Sequence, residues 1–224
     1  MWNIRIYSLT LLCISHVRLI LTDFAAPSPR LEEYLVRMIS QGKLICTGLI
    51  VNRQQVLTAG YCKPDHLTDH IDLLFSDNSI NTIKNITMSE HFAAEEASDL
   101  LILIELSTEL GEKYSNLPPI CRERPPVTDM VEHWSWNSDG RELQKMLTPQ
   151  SSTLECRREI NDPDGFIIGN DTVCLRNKMV TNGCVKNFGM PFVWRNSFCG
   201  INILAHNCQI DGNTDIFVRL LKSY

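Results

Sequence analysis

Short β-rich runs separated by polar turns are the feature that most limits how this chain folds. Runs of about four to eight residues rich in Ile, Val, Leu and Thr are typical of strands. Ten such runs are predicted to be strands: Leu44–Val51, Gln55–Ala59, Ile71–Phe75, Ile83–Met88, Leu100–Leu106, Met130–Trp136, Thr172–Leu175, Pro191–Val193, Ser197–Ile203 and Ile216–Leu220. Many short strands at regular spacing favour antiparallel barrels or a sandwich.

A proline-rich stretch divides these strands into two groups. Residues 116–127 contain two Pro-Pro pairs, and proline lacks the N–H that a central strand donates. We therefore predict a linker at 116–127, between an N-terminal half of about 34–115 and a C-terminal half of about 128–224. A chain of 224 residues is long enough to bury a large core.

The N-terminal residues are typical of a secretory signal. Arg5 supplies the positive charge, and a short apolar stretch follows over Ile6–Val17 before charged residues interrupt it. The stretch is too short to span a bilayer. We predict a signal peptide over 1–26, or alternatively 1–15, and a secreted domain over 27–224; a signal anchor is the less favoured interpretation.

Charge and histidine spacing argue against several kinds of partner. The net charge is −5 and the pI is near 5.7, which gives no reason to expect nucleic acid or an anionic membrane. His66 and His70 have the i, i+4 spacing of a helical metal pair but lack the glutamate of a His-Glu-x-x-His motif. A solvated loop is the favoured interpretation, so no metal and no cofactor is predicted.

The cysteine count agrees with secretion. Nine cysteines are present, and Cys13 would leave with the signal peptide. Eight cysteines in a secreted protein predict a disulfide framework, and the absence of Cys-x-x-Cys gives no support for a zinc ribbon. Asn85 and Asn170 begin Asn-x-Thr sequons, which predict glycosylated surface positions.

One segment carries a family resemblance. Residues 184–193 read CVKNFGMPFV, which resembles the nucleophile loop of trypsin-like serine proteases, Cys-x-Gly-Asp-Ser-Gly-Gly-Pro-Leu-Val. Phe188 stands where the family has its serine. A benzyl ring has no atom that can attack a carbonyl, so covalent acyl transfer cannot start there.

Two further segments resemble the same family. Residues 46–62 match its Cys-Gly-Gly-Ser-Leu-Ile strand and its Val-Leu-Thr-Ala-Ala-His-Cys corner, with Tyr61 in place of the general-base histidine. Phenols titrate near pH 10, so a tyrosine is not a general base at neutral pH. Residues 98–106 resemble the strand that presents the triad aspartate, and Asp99 is retained.

The order and spacing of the three segments extend the resemblance over roughly residues 34–221. The resemblance implies an all-β fold of two packed antiparallel barrels, with a truncated C-terminal helix. The aromatic pair Tyr61 and Phe188 is interpreted as filling a collapsed cleft; the alternative is that both rings floor a ligand-binding cleft. Asp99 is interpreted as a structural carboxylate.

The resemblance also implies disulfide pairs. It predicts Cys46–Cys62, Cys156–Cys174 and Cys184–Cys208. Another bridge common in the family is missing, because Asp129 and Trp194 occupy its two positions. Elimination among the remaining cysteines leaves Cys121–Cys199.

The specificity pocket and the activation switch depart from the family. Asn182 replaces the aspartate that selects basic substrates, and Lys186 replaces a glycine of the oxyanion loop. Asn187 replaces the aspartate that pairs with a newly freed N-terminus. Arg30 is followed by Leu31, Glu32 and Glu33 rather than Ile-Val-Gly-Gly, so no activation by cleavage is expected.

These departures predict a secreted, catalytically inactive serine protease homologue, similar to those of arthropod body fluids. Such a protein acts by binding, as a decoy, cofactor or adaptor in immune or reproductive fluid. The expected partners are other proteins: active serine proteases, serpin-type inhibitors or receptors. The alternatives are an unorthodox serine endopeptidase and a surface or microbe recognition protein.

Overall fold

Two closed antiparallel barrels of six strands each make up the part of the protein that the structure describes. The structure is a computed structural model, and it describes residues 29–64, 70–88, 100–177, 187–204 and 214–220. The all-β, two-barrel fold predicted from the sequence is confirmed. No helix among these residues is long and apolar enough to cross a membrane.

The first barrel has the strand order β1-β2-β3-β6-β5-β4. Its strands are β1 (Leu35–Ser40), β2 (Lys43–Asn52), β3 (Gln55–Ala59), β4 (Asp72–Leu74), β5 (Ile80–Met88) and β6 (Leu101–Leu106). The β6 strand reads LILIEL and is buried along nearly its whole length, as expected for branched apolar side chains between two covered faces. It pairs with β3 on one side and β5 on the other.

The second barrel has the strand order β10-β11-β12-β9-β8-β7. Its strands are β7 (Met130–Trp136), β8 (Leu143–Ser151), β9 (Thr172–Arg176), β10 (Pro191–Trp194), β11 (Ser197–Leu204) and β12 (Thr214–Arg219). One helix, α1 (Thr153–Glu159), follows β8. Ser152 and Glu155 form a capping box at its start, which satisfies two of the N–H groups that a helix leaves without a partner.

All ten predicted strands are present, but β1 and β8 were not predicted. The β8 strand carries Gln144, Lys145 and Pro149 within a nine-residue run, a composition that is unfavourable for a strand. The β8 strand forms because every residue of β7 pairs with it, from Met130 opposite Pro149 to Trp136 opposite Leu143. Tertiary pairing therefore outweighs local propensity in this strand.

The loop at residues 187–190 joins the two barrels. The Thr47 N–H of β2 donates to the Phe188 carbonyl at 2.8 Å, and the Gly189 N–H donates to the Asn202 carbonyl of β11 at 2.8 Å. Gly189 has φ +80°, and a Cβ there would lie 1.8 Å from the Thr47 carbonyl oxygen. Only glycine fits this conformation and this close approach.

Three of the four predicted disulfides are present: Cys46–Cys62, Cys156–Cys174 and Cys121–Cys199. The fourth, Cys184–Cys208, lies outside the described residues. The Cys121–Cys199 bridge attaches the linker to β11, where Ile120 forms an isolated bridge with Phe198. The linker thus follows the second barrel without adding a strand to it, which agrees with its proline content.

At the place of the missing family bridge, Asp129 and Trp194 are in direct contact. The indole Nε1 of Trp194 donates to the Asp129 carboxylate at 3.1 Å. The Arg195 guanidinium lies over the Trp194 ring, 4.1 Å from its centroid. A hydrogen bond and a cation–π contact therefore occupy the position where the family has a covalent link.

Candidate functional site: the Tyr61–Phe188 cleft

Tyr61 lies at the edge of the first barrel, where β3 ends. A short 3₁₀ turn over Gly60–Cys62 follows β3, and the Cys46–Cys62 disulfide ties this turn back to β2. The Tyr61 side chain is 65% exposed. The disulfide therefore fixes the backbone while the ring remains at the surface.

Phe188 comes from the other barrel and meets Tyr61 face to face. The two ring centroids are 4.2 Å apart and the ring planes differ by 28°, a stacked arrangement. Phe188 is only 7% exposed. The interpretation of both rings as core-filling residues is correct for Phe188 and wrong for Tyr61, because Tyr61 covers Phe188 and leaves its own ring in solvent.

A buried threonine pair supports the loop that carries Phe188. The Thr58 hydroxyl donates to the Thr47 carbonyl at 2.7 Å. The Trp136 indole donates to the Thr47 hydroxyl at 2.8 Å. Thr47 thus receives hydrogen bonds from both barrels. These bonds fix the Thr47 backbone, whose N–H donates to the Phe188 carbonyl. Sequence reasoning missed this network, since threonine in a strand has no distinctive pattern.

Asn187, the predicted counterpart of the family's switch aspartate, is fully buried. Its Oδ1 accepts a hydrogen bond from the backbone N–H of Trp136 at 3.3 Å, and its Nδ2 has no hydrogen-bond partner among the described residues. The side chain therefore presents an uncharged amide inside the protein. Asp99, Asn182 and Lys186 lie outside the described residues.

A buried His–Asp pair lies inside the second barrel and was not predicted. His133 Nε2 and Asp215 Oδ2 are 2.7 Å apart, and both side chains are fully buried. The Asn177 amide donates to the same Asp215 oxygen at 3.2 Å. Asp215 is therefore the buried partner of both His133 and Asn177, whereas His133 Nδ1 has no hydrogen-bond partner among the described residues. A histidine at an inward position of β7 was the signal that could have revealed it.

A surface groove adjoins Tyr61 in the first barrel. Its volume is about 590 Å³. The lining includes the Cys46–Cys62 disulfide and six further side chains: Ser40, Ile45, Tyr61, Lys63, Pro64 and Ile71. The groove combines an apolar floor, an aromatic wall and one ammonium group.

The described residues contain no group of three or more His, Cys, Asp or Glu side chains that could hold a metal ion. His70 instead pairs with Asp72, Nε2 to Oδ1, at 2.9 Å. His66, the other member of the spacing considered for a metal, lies outside the described residues.

The fold and the sequence motifs together define the class of protein. Two six-stranded antiparallel barrels, with Tyr61 presented by one and Phe188 by the other, have the architecture of trypsin-like serine proteases. The trypsin family model matches residues 24–223. The chain therefore belongs to the trypsin family.

Named relatives agree with this assignment. Human kallikrein-7 is 26% identical over 188 residues, which cover 76% of this chain and 70% of the relative. Among solved structures, kallikrein-related peptidase 10 in complex with Zn²⁺ has a TM-score of 0.66 at 16% identity, covering 87% of this chain and 93% of the other. Neuropsin, a serine protease of mouse brain, has a TM-score of 0.65 at 16% identity, with 84% and 90% covered. The two structural matches establish the fold alone.

Proposed function

We propose that this protein is a secreted, non-catalytic serine protease homologue that acts by binding other proteins. The observation that carries the proposal is the Tyr61–Phe188 stack. It occupies the two positions at which the family places its general base and its nucleophile. Two rings in contact at 4.2 Å put a phenol in place of the imidazole base and a hydrocarbon ring in place of the nucleophilic hydroxyl.

The expected loss of catalytic turnover supports a non-catalytic function. Loss of the nucleophile or of the base alone lowers turnover on the order of 10⁶-fold in a comparable triad. Both residue types are replaced in this chain. A buried histidine at position 133 does not compensate, because it is fully enclosed and bonded to Asp215.

The Asn187 amide supports the absence of an activation switch. An ammonium group inserted beside Asn187 would meet a neutral amide inside the protein. Most of its desolvation cost would stay uncompensated, since only an opposite charge offsets it well. The protein is therefore proposed to have one functional state, independent of cleavage near Arg30.

The proposal also includes secretion and a class of protein partners. Three disulfides among the described residues are typical of proteins folded in an oxidising compartment. The sequon residues Asn85 and Asn170 are exposed, as glycosylation requires. The proposed partners are active serine proteases, serpin-type inhibitors or receptors, bound through surfaces that the family uses for substrates or regulators.

A covalent probe tests the proposal. Purified protein should not label with a fluorophosphonate and should not cleave a broad peptide library, with an active trypsin-like protease as positive control. Phe188→Ser should also stay unlabelled, because the base is still missing, and a Tyr61→His, Phe188→Ser double variant tests whether two residues suffice. Labelling or turnover by the unmodified protein that disappears in Phe188→Ala would overturn the proposal.

A further inference from the structure

We propose that Asn170 carries an N-linked glycan whose first N-acetylglucosamine packs on the exposed ring of Phe166. The inference rests on the secretion proposed above, because a chain must enter the secretory pathway to receive such a glycan. Three observations carry it: an apolar loop tip in solvent, a backbone that holds this tip in one conformation, and a sequon that begins four residues beyond the ring.

The tip of the 160–170 loop is apolar and has no protein cover. Phe166 is 91% exposed, more than any other large hydrophobic side chain among the described residues, and Ile167 beside it is 49% exposed. A single exposed apolar side chain is common on protein surfaces. Two adjacent ones that include a whole aromatic ring leave a larger apolar area for a ligand to cover.

The loop is well ordered although its tip is exposed. The Asp162 carboxylate accepts hydrogen bonds from the backbone N–H groups of residues 166–168 at 2.8 to 3.0 Å. The Arg157 guanidinium donates twice to the Ile168 carbonyl, at 3.0 and 2.8 Å. Ile168 is 1% exposed and packs beside the Cys156–Cys174 disulfide. A ligand that covers the tip therefore does not have to order the loop first.

The sequon begins close to the ring. Four residues of backbone link Phe166 to Asn170, a distance of about 14 Å at full extension. The separation is shorter than this, because three successive N–H groups that converge on the Asp162 carboxylate do not belong to an extended strand. Asn170 is exposed, and the next carbonyl, that of Asp171, accepts the Arg219 N–H at 2.8 Å. A sugar on Asn170 is thus tethered near the Phe166 ring.

The attachment follows from the Asn170-Asp171-Thr172 sequon. A lipid-linked diphosphate oligosaccharide supplies the sugar. The Asn170 Nδ2 forms a bond to C1 of the first sugar and loses one proton, while the C1–O bond to the diphosphate breaks and the lipid diphosphate leaves. In the folded protein Thr172 is 7% exposed and its hydroxyl donates to the Gly169 carbonyl at 3.1 Å, so the transfer takes place before β9 forms.

The chemistry of the sugar suits the ring. A pyranose presents one face of C–H groups, which packs on the flat face of an aromatic side chain through dispersion and quadrupole attraction. The covalent tether also gives the sugar a high effective concentration at the ring. An anionic membrane is a poorer occupant, because Asp164 is exposed beside the tip and the net charge is −5.

A comparison of defined glycoforms tests the contact. Full-length protein is secreted from eukaryotic cells as an Asn85→Gln variant, so that Asn170 begins the one Asn-x-Thr sequon left. Peptide mass spectrometry should find Asn170 occupied, and an endoglycosidase then trims the glycan to a single N-acetylglucosamine. Relative to Asn170→Gln, this sugar should lower the unfolding equilibrium constant about fivefold, as one aromatic contact does. In Phe166→Ala the same sugar should change it less than about twofold.

A spectroscopic readout separates packing from a general effect of glycosylation. The acetyl methyl proton signal of the single sugar should shift upfield, because the Phe166 ring current acts on it, and the shift should disappear in Phe166→Ala. Leu147→Ala is the matched control: it removes a 63% exposed apolar side chain from β8 and should leave both the methyl shift and the effect of the sugar unchanged. An unshifted methyl signal, or an equal effect of the sugar with and without the Phe166 ring, would overturn the contact.

The occupancy of the two sequons distinguishes failure of this inference from failure of the secretion proposed above. Secreted protein with a glycan on Asn85 and none on Asn170 would refute the Asn170 glycan alone. Retention of the chain inside the cells with both sequons unmodified would refute secretion and the glycan together. An occupied Asn170 without coupling to Phe166 would refute the packing and leave the ring available to a partner protein.

Discussion

Two side-chain pairs, Tyr61–Phe188 and His133–Asp215, differ in both exposure and chemistry. The first spans the two barrels at the surface and consists of rings. The second lies inside one barrel, fully buried, and consists of the residue types that proton transfer needs. The residue types that proton transfer needs are therefore enclosed in the second barrel, whereas the surface pair at the motif positions consists of two aromatic rings.

The largest effect is expected from breaking the buried pair. Asp215→Ala removes the acceptor of both His133 and Asn177. It should lower the free energy of unfolding by about 3–5 kcal/mol, because a buried polar partner is left uncompensated. Urea unfolding followed by tryptophan fluorescence measures this.

A double variant serves as the control for Asp215→Ala. Replacing both members, His133→Leu with Asp215→Leu, should cost less than the single change, since apolar replacement of a buried pair is often close to neutral. A loss below about 1 kcal/mol for Asp215→Ala would show that the pair is not a core contact of the kind described.

A substitution in the loop that presents Phe188 should lower the free energy of unfolding by nearly as much. Gly189→Ala places a methyl group 1.8 Å from the Thr47 carbonyl at φ +80° and should cost about 3 kcal/mol. Gly111→Ala is the matched control, because nothing lies within 4 Å of its added Cβ; its cost should stay within about 0.5 kcal/mol. Similar costs for the two variants would contradict the close approach of the barrels at this loop.

Within the aromatic pair, alanine substitution of Phe188 and of Tyr61 should lower the free energy of unfolding by different amounts. Phe188→Ala empties a buried position and should destabilise the protein by about 3 kcal/mol. Tyr61→Ala removes a ring that is 65% exposed and should cost less than about 1 kcal/mol. Chemical denaturation of the two variants side by side decides this, and a larger loss for Tyr61→Ala would mean that Tyr61 is a core residue after all.

The smallest effect is local and depends on pH. Backbone N–H groups of Ile168, Ile167 and Phe166 bond the Asp162 carboxylate and lower its pKa. The lowered pKa means that these bonds contribute fully above about pH 4, the ordinary aspartate range, and are lost as pH falls below it. Amide protection factors at residues 166–168 should therefore decrease in acid, while those of β6 stay unchanged.

Asp162→Asn provides the reference for that experiment. Its protection at residues 166–168 should not depend on pH in the same range, because the amide does not titrate. Equal acid dependence in the variant would assign the effect to another group.

Much of the fold follows from local sequence. The β6 strand is recognisable because branched apolar residues repeat without interruption, and the Cys121–Cys199 bridge follows from the resemblance and elimination. The β8 strand does not follow, since Lys145, Gln144 and Pro149 favour other structures, and only its long pairing with β7 makes it a strand.

The residues of the candidate site were predictable from the sequence, but their exposure and contacts were not. Motif positions identify Tyr61 and Phe188, whereas the exposure of Tyr61 depends on how the turn at Gly60–Cys62 meets a loop from the other barrel. The inward position of His133 on β7 indicates a buried polar group, but its pairing with Asp215 could not be derived from the sequence. The two side chains lie 82 residues apart, and only the register of the second barrel brings them together.

Thr47 also has a consequence for how the chain folds. Its hydroxyl accepts a bond from Trp136, 89 residues later, and its N–H bonds the Phe188 carbonyl near the end of the chain. During synthesis the first barrel is complete in sequence long before either partner has left the ribosome, so its Thr47 face must stay open to water. Contacts of such sequence separation slow folding. The hydrogen bonds that join the two barrels at Thr47 therefore cannot form before residues 136 and 188 have been synthesised.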